Sequence, residues 1–148
     1  MRKFAILTLV AMFGLCLTGY AIADEKAECI AKCEAAAKAM KDDFTGALCE
    51  INKKDGKFVK GSVYVFAMRG GVMVAHPMKP VLIGRDLSGL KDKDGKEFFK
   101  EFTEVAKSKG SGWVDYQWPK PGEKDPSPKT SYILKVDDNY YVGAGYYK

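Results

Sequence analysis

The chain has a single histidine, His76, and it stands directly before Pro77. A lysine, Lys129, follows Pro128 in a stretch crowded with tyrosine and tryptophan. Between Phe98 and Tyr147 lie 11 of the 15 aromatic residues found after residue 23. Trp113, Tyr116, Trp118 and Tyr132 fall on segments that read as strands, so rings with a few polar tips can wall a small hollow. A cation held at such a wall favours an anionic partner, because a desolvated charge left unpaired is costly. A hydrogen bond to a charged group contributes about 1.5–3 kcal/mol, so a lysine, a histidine and a tyrosine can hold a small carboxylate between them. The plainer expectation is that the rings are simply core, which composition by itself favours.

Other chemistries find little support. There is no Gly-x-Ser-x-Gly elbow, no phosphate-cradling glycine loop and no nucleophile with an oriented base, so the chain does not read as an enzyme. The haem attachment pattern Cys-x-x-Cys-His is absent, and one histidine makes a zinc site weak; no cofactor is implied. After residue 23 the chain carries 22 basic and 19 acidic residues, interspersed and without a basic block, which gives no footprint for nucleic acid.

The start of the chain decides the setting of the cysteines. Arg2-Lys3 is followed by an almost wholly apolar run from Phe4 to Leu17, and Ala21-Ile22-Ala23 offers small residues where a signal peptidase reads. Residues 1–23 are expected to be a secretory signal peptide cleaved after Ala23, leaving 24–148 as one exported, periplasmic domain. The competing reading is an uncleaved anchor, since Phe4 to Ala23 is nearly long enough to span a bilayer. Export puts Cys29, Cys33 and Cys49 in an oxidising compartment. An odd number predicts one disulfide among the three and one free or intermolecular thiol, with the pairing open. The spacing is Cys-x-x-x-Cys, so a redox dithiol is not indicated.

The elements that must position these groups follow from periodicity. Residues 24–44 are rich in Ala, Glu and Lys, with Ile30, Cys33, Ala37, Met40 and Phe44 forming one apolar stripe, so they predict a long amphipathic helix. Ala47, Leu48 and Ile51 suggest a further short turn. From Ser62 to Met68 the period becomes two, with Tyr64, Phe66 and Met68 on one face and Val63, Val65 and Ala67 on the other, both faces reading as buried. Gly70-Gly71 makes a tight hairpin, Val72 to Ala75 returns, and His76-Pro77 ends the strand. Asp94 and Glu97 read as a capping box opening a helix from about 95 to 109. Strands then follow at Gly112 to Trp118, Thr130 to Val136 and Tyr140 to Tyr146, with a proline-rich loop from Pro119 to Pro128. The expected fold is α+β: a five-stranded antiparallel sheet with helices on one side, a long N-terminal helix and a second helix inserted between strands 2 and 3.

An ordered set of short motifs sharpens this reading. Asp55-Gly56-Lys57-Phe58-Val59, Tyr64-Val65-Phe66, Ala75-His76-Pro77, Gly84-Arg85-Asp86-Leu87, Lys93-Asp94-Gly95-Lys96, Gly112 through Pro119, Lys129-Thr130-Ser131-Tyr132 and Tyr141 through Tyr146 together resemble the single Cache domains, over about residues 50–147. These are extracellular sensors of bacterial chemotaxis receptors and histidine kinases. The resemblance implies a PAS-like sheet with a long helix behind it and a cavity on the sheet for small organic acids or similar metabolites. Carried onto this chain, it implies His76, Trp113, Tyr116 and Lys129 as leading pocket residues, with Tyr64, Phe66 and Tyr132 next. On a regular strand Lys129 and Tyr132 point to opposite faces, so one of the two leaves the pocket.

The expectation is therefore an exported small-molecule sensor domain for a small organic acid, signalling through a membrane receptor or histidine kinase for chemotaxis or similar signal transduction. The alternative is a structural or interaction module stapled by its disulfide or dimerised through the odd thiol, with no ligand.

Overall fold

The computed structural model describes residues 16–148. The expected leader lies outside the described residues up to residue 15. From Cys16 the chain is helical and runs on without a break through Ala23, the expected cleavage position, with Ala21 to Ala23 exposed.

Helix α1 spans Cys16–Asp42. Its buried stripe is Cys29, Cys33, Ala36, Ala37 and Met40, all small or flexible, so the backbone can lie close on a sheet. The stripe stops earlier than expected, because Asp43 breaks the helix with extended backbone (φ −148°, ψ 93°) and accepts a hydrogen bond from Gly46 N–H at 3.0 Å. That cap starts α2, Phe44–Ile51, and leaves Phe44 exposed.

The strands are β1 (Val59–Lys60), β2 (Val63–Arg69), β3 (Val72–Ala75), β4 (Ser111–Pro119), β5 (Pro126–Lys135) and β6 (Tyr140–Tyr147). They form one antiparallel sheet in the order β1-β2-β6-β5-β4, with β3 also pairing β2. The five expected strands are present, and β1 is a two-residue addition. Strand β5 begins at Pro126 instead of Thr130, so the proline-rich loop is shorter than its composition suggested. Gly70 turns β2 into β3 with a φ of 56°, a backbone region that glycine enters without steric cost.

Helices flank both faces of the sheet, not one. Helices α1 and α2 cover the face carrying Val63, Val65, Ala67, Val142, Ala144 and Tyr146. Helix α3, Phe98–Lys109, covers the other face with Phe98, Phe102 and Val105 against Tyr64, Phe66, Tyr116 and Ile133. Both faces of β2 are buried for this reason, as its six consecutive apolar residues require. Thr103 fixes α3 over the hairpin, with its hydroxyl 3.2 Å from Gly70 O and 3.2 Å from the Tyr141 hydroxyl.

The expected capping box does not form. Helix α3 starts three residues later, at Phe98, and Glu97 makes no side-chain cap bond. Asp92 organises the preceding loop instead, accepting from Asp94 N–H at 3.0 Å, Lys96 N–H at 2.9 Å and Gln117 N–H at 3.0 Å. The last of these ties the loop to β4, an outer strand whose amides would otherwise be open to pairing with another chain.

The expected disulfide is also absent. Cys29 and Cys33 are free thiols buried under α1, and Cys49 is a free, exposed thiol on α2. Cys33 Sγ lies 3.6 Å from Tyr132 O, toward the sheet. Burial pushes the Cys29 thiol up to about 12 and the Cys33 thiol well above its ordinary value, so neither has thiolate character.

Candidate functional site

Cross-strand register assembles the site. Lys129 on β5 pairs with Tyr116 on β4 and with Tyr147 on β6. Gly145 on β6 pairs with Tyr64 on β2, and Gly143 with Phe66. Residues opposite one another on antiparallel strands project to the same face, so Tyr64, Phe66, Tyr116, Lys129 and Tyr147 all lie on the face under α3. His76 enters from the end of β3. Its backbone N–H is held by Asn52 Oδ1 at 2.9 Å, and its ring centroid stands 5.1 Å from Tyr64 and 6.4 Å from both Phe66 and Trp118.

Lys129 is the unusual member. It is 1% exposed, and its buried Nζ has no hydrogen-bond acceptor among the described residues. The ammonium sits 3.9 Å from the Tyr64 ring centroid and 4.8 Å from that of Tyr147. Cation–π attraction returns up to about 2 kcal/mol at a desolvated site. It does not replace the carboxylate that buried lysines ordinarily have.

His76 is neutral. Its Nδ1 accepts hydrogen bonds from Met78 N–H at 3.2 Å and Lys79 N–H at 3.0 Å, so a proton on that nitrogen would face two donors. The hydrogen-bond pattern thereby assigns the proton to Nε2, which meets no protein acceptor among the described residues. Burial first, then the nearby Lys129 and Lys79 charges, bring the imidazole down to about 3. Tyr116 shares a hydrogen bond of 3.0 Å with the Ser131 hydroxyl, and burial keeps its phenol protonated by raising it well above its ordinary range. The face thus holds the buried Lys129 ammonium, a neutral imidazole N–H and phenols in aromatic surroundings, with Lys79 Nζ 5.0 Å from the Trp118 ring centroid.

The hollow itself is narrow. Tyr64, Phe66, His76, Phe98, Tyr116 and Trp118 are among the residues that enclose a void of about 10 Å³. That volume accommodates about one water. The Phe98 and Tyr116 rings close it by stacking at 4.5 Å and 15°. A larger open cleft of about 270 Å³ runs past Asp92, Lys96, Asp115, Gln117 and Lys148 and reaches Lys129. Most of its charges are matched: Lys148 meets Asp115 at 2.9 Å, Lys96 meets Glu101 at 2.7 Å, and backbone amides hold Asp92.

The structure brings His76, Tyr116, Lys129, Tyr64 and Phe66 together and keeps Trp113 and Tyr132 apart from them. Trp113 and Tyr132 pair on the opposite face, with centroids 5.3 Å apart, and Trp113 lies 6.1 Å from Tyr146, 37% exposed. Lys26 of α1 reaches over the Trp113 ring at 5.9 Å. The reason is strand parity: Trp113 and Tyr116 are three residues apart and cannot share a face. The same parity puts Trp118 beside Tyr116, a signal present in the sequence. Tyr147 and Phe98 carried no comparable signal, because only the register of β6 and the docking of α3 bring them in.

A family model described as a Cache domain, dCache_2, matches residues 23–148. A solved periplasmic sensor domain of a chemotaxis protein is 32% identical, with a TM-score of 0.68 over 87% of this chain and 93% of that one. A Cache chemosensory domain solved for its carboxylic acid recognition is 29% identical, with a TM-score of 0.71 over 88% of this chain and 97% of that one. The methyl-accepting chemotaxis protein McpP of Pseudomonas putida is 42% identical over 79 residues, which are 53% of this chain and 14% of that receptor. The chain therefore spans a small part of the length of that receptor. A sheet with a long helix behind it, a second helix over its aromatic face and a family match running from residue 23 to the last residue agree, and the chain belongs to the Cache domain family of non-catalytic, ligand-binding sensor modules.

Proposed function

We propose that this chain is the ligand-binding part of a periplasmic sensing system and that it binds a small monocarboxylate on the α3 face of the sheet. The observation that carries the reading is the buried ammonium of Lys129, which has no acceptor among the described residues. One buried ammonium beside a neutral histidine matches a ligand with one negative charge. A dianion would have to leave its second charge among rings or reach Lys79, a half-buried lysine over Trp118 that is already partly in solvent. The carboxylate would take Lys129 Nζ and the His76 Nε2–H, and Tyr64, Phe66, Phe98 and Trp118 would enclose the few carbons. The void of about 10 Å³ requires those rings to swing aside as the acid enters. Signalling would pass to a membrane receptor or histidine kinase, reached after export and cleavage near Ala23.

Calorimetry against formate, acetate, propionate and succinate tests the reading. A short monocarboxylate is expected to bind and succinate to bind far more weakly. Lys129→Met keeps the stem and removes the charge, and is expected to weaken binding about 10- to 100-fold, the worth of a charged hydrogen bond. Equal affinity in the variant would remove Lys129 from the site. The narrowness of the void favours a second reading, an interaction module that takes no ligand, and for that module no acid in the panel gives heat.

A further inference from the structure

We propose that Tyr147 is a positioning residue: its ring, tied to β4 through its hydroxyl, holds the Lys129 ammonium inside the sheet face beneath Tyr64. The consequence for binding rests on the reading of Lys129 as the anion partner; the positioning itself does not.

A lysine stem of four carbons ordinarily carries its head out to water. Here the stem turns inward across β6. It crosses at Gly145, where an added Cβ would stand 3.0 Å from Lys129 Cε and 2.1 Å from Ser131 Oγ, so only a glycine leaves the lane open. Past that crossing the ammonium meets two ring faces, Tyr64 at 3.9 Å and Tyr147 at 4.8 Å. Tyr64 is buried in the middle of the sheet. Tyr147 is half-buried at the end of β6, and something must hold it in place. Its hydroxyl donates to Pro119 O at 2.7 Å, reaching past β5 to the last residue of β4. The ring is thus anchored at both ends, by backbone pairing with Lys129 and by this hydroxyl. With the ring gone, the ammonium loses one of its two attractive faces, and hydration outside the sheet becomes the better alternative.

The test uses the Lys129 ε-methylene protons, assigned by their disappearance in Lys129→Met, together with acetate titration. In the wild type the two ring currents shift these protons upfield of ordinary lysines. Tyr147→Leu is expected to move them back toward the ordinary position and to weaken acetate binding about tenfold, the scale of one desolvated cation–π contact. Tyr147→Phe keeps the ring face but loses the tie to Pro119 O, and is expected to fall between the wild type and the Leu variant in both shift and affinity. Tyr147 is half-buried and belongs to neither hydrophobic core cluster, so both variants are expected to fold. A Leu variant with unchanged ε-proton shift overturns the proposal, and a Phe variant equal to the wild type overturns the tie through the hydroxyl. A wild type that shows no acetate heat but loses its ring shift in Tyr147→Leu supports the positioning and overturns the ligand reading.

Discussion

Lys129→Met should make the empty protein more stable while blunting its response to ligand. Burying an ammonium without an acceptor carries a desolvation cost of several kcal/mol, and the Tyr64 and Tyr147 rings return up to about 2 kcal/mol each. Methionine fills a similar volume with no charge to desolvate, so a net gain of about 1–3 kcal/mol is expected in the ligand-free state. In a domain of this size each kcal/mol moves the melting temperature by roughly 4 °C, which predicts a rise of about 4–12 °C. Acetate at about 100 times its wild-type Kd should stabilise the wild type by about 2.7 kcal/mol and the variant, which binds about 10- to 100-fold more weakly, by only about 0.4–1.4 kcal/mol. Differential scanning calorimetry with and without acetate reads both effects. An empty variant that melts below the empty wild type would refute the reasoning, because it would show that the lysine is satisfied in the folded chain.

Three further outcomes are expected. The folded protein holds His76 neutral to about pH 3, whereas the unfolded imidazole binds a proton near 6.5. The stability this gives is complete above pH 6.5 and falls as pH drops below it, by at most about 1.4 kcal/mol per unit, so urea midpoints should decline from pH 6.5 to 4 in the wild type more steeply than in His76→Asn. Trp113→Ala should leave acetate affinity within about twofold of the wild type while costing about 1–2 kcal/mol of stability, since its ring belongs to the α1 side; a large loss of affinity would contradict the face assignment. A thiol reagent should label Cys49 at once in the native protein and Cys29 and Cys33 only on unfolding; rapid labelling of either buried cysteine would show that α1 lifts from the sheet.

Much of the fold and part of the candidate site were legible in the chain itself. The alternation through β2 announced two buried faces, although helices were expected on one side of the sheet only, because the face on which α3 docks is set by distant contacts. The helix-rich start, the hairpin at Gly70 and the order of strands followed from local preference, which needs no knowledge of distant residues. His76, Tyr116 and Lys129 stood out as a lone imidazole, a phenol and a cation among rings, and the fold brings the three to one face. Where the expectations departed from the structure, the deciding contacts were distant. Asp92 captured the amides that a capping box would have used and the Gln117 N–H beyond them. The cysteines read as a staple from composition, but α1 turns two of them onto the sheet and leaves the third outside.

The sequence alone determined the element types, the family pattern and the supply of rings and charges, because each depends on residue type and short spacing. Tertiary structure alone decided that Lys129 is buried with no acceptor among the described residues, that Tyr147 lies beside it and that Trp113 and Tyr132 do not. Those facts rest on which residues face each other across β4, β5, β6 and β2, and on the strand pairings and helix docking that join residues far apart along the chain.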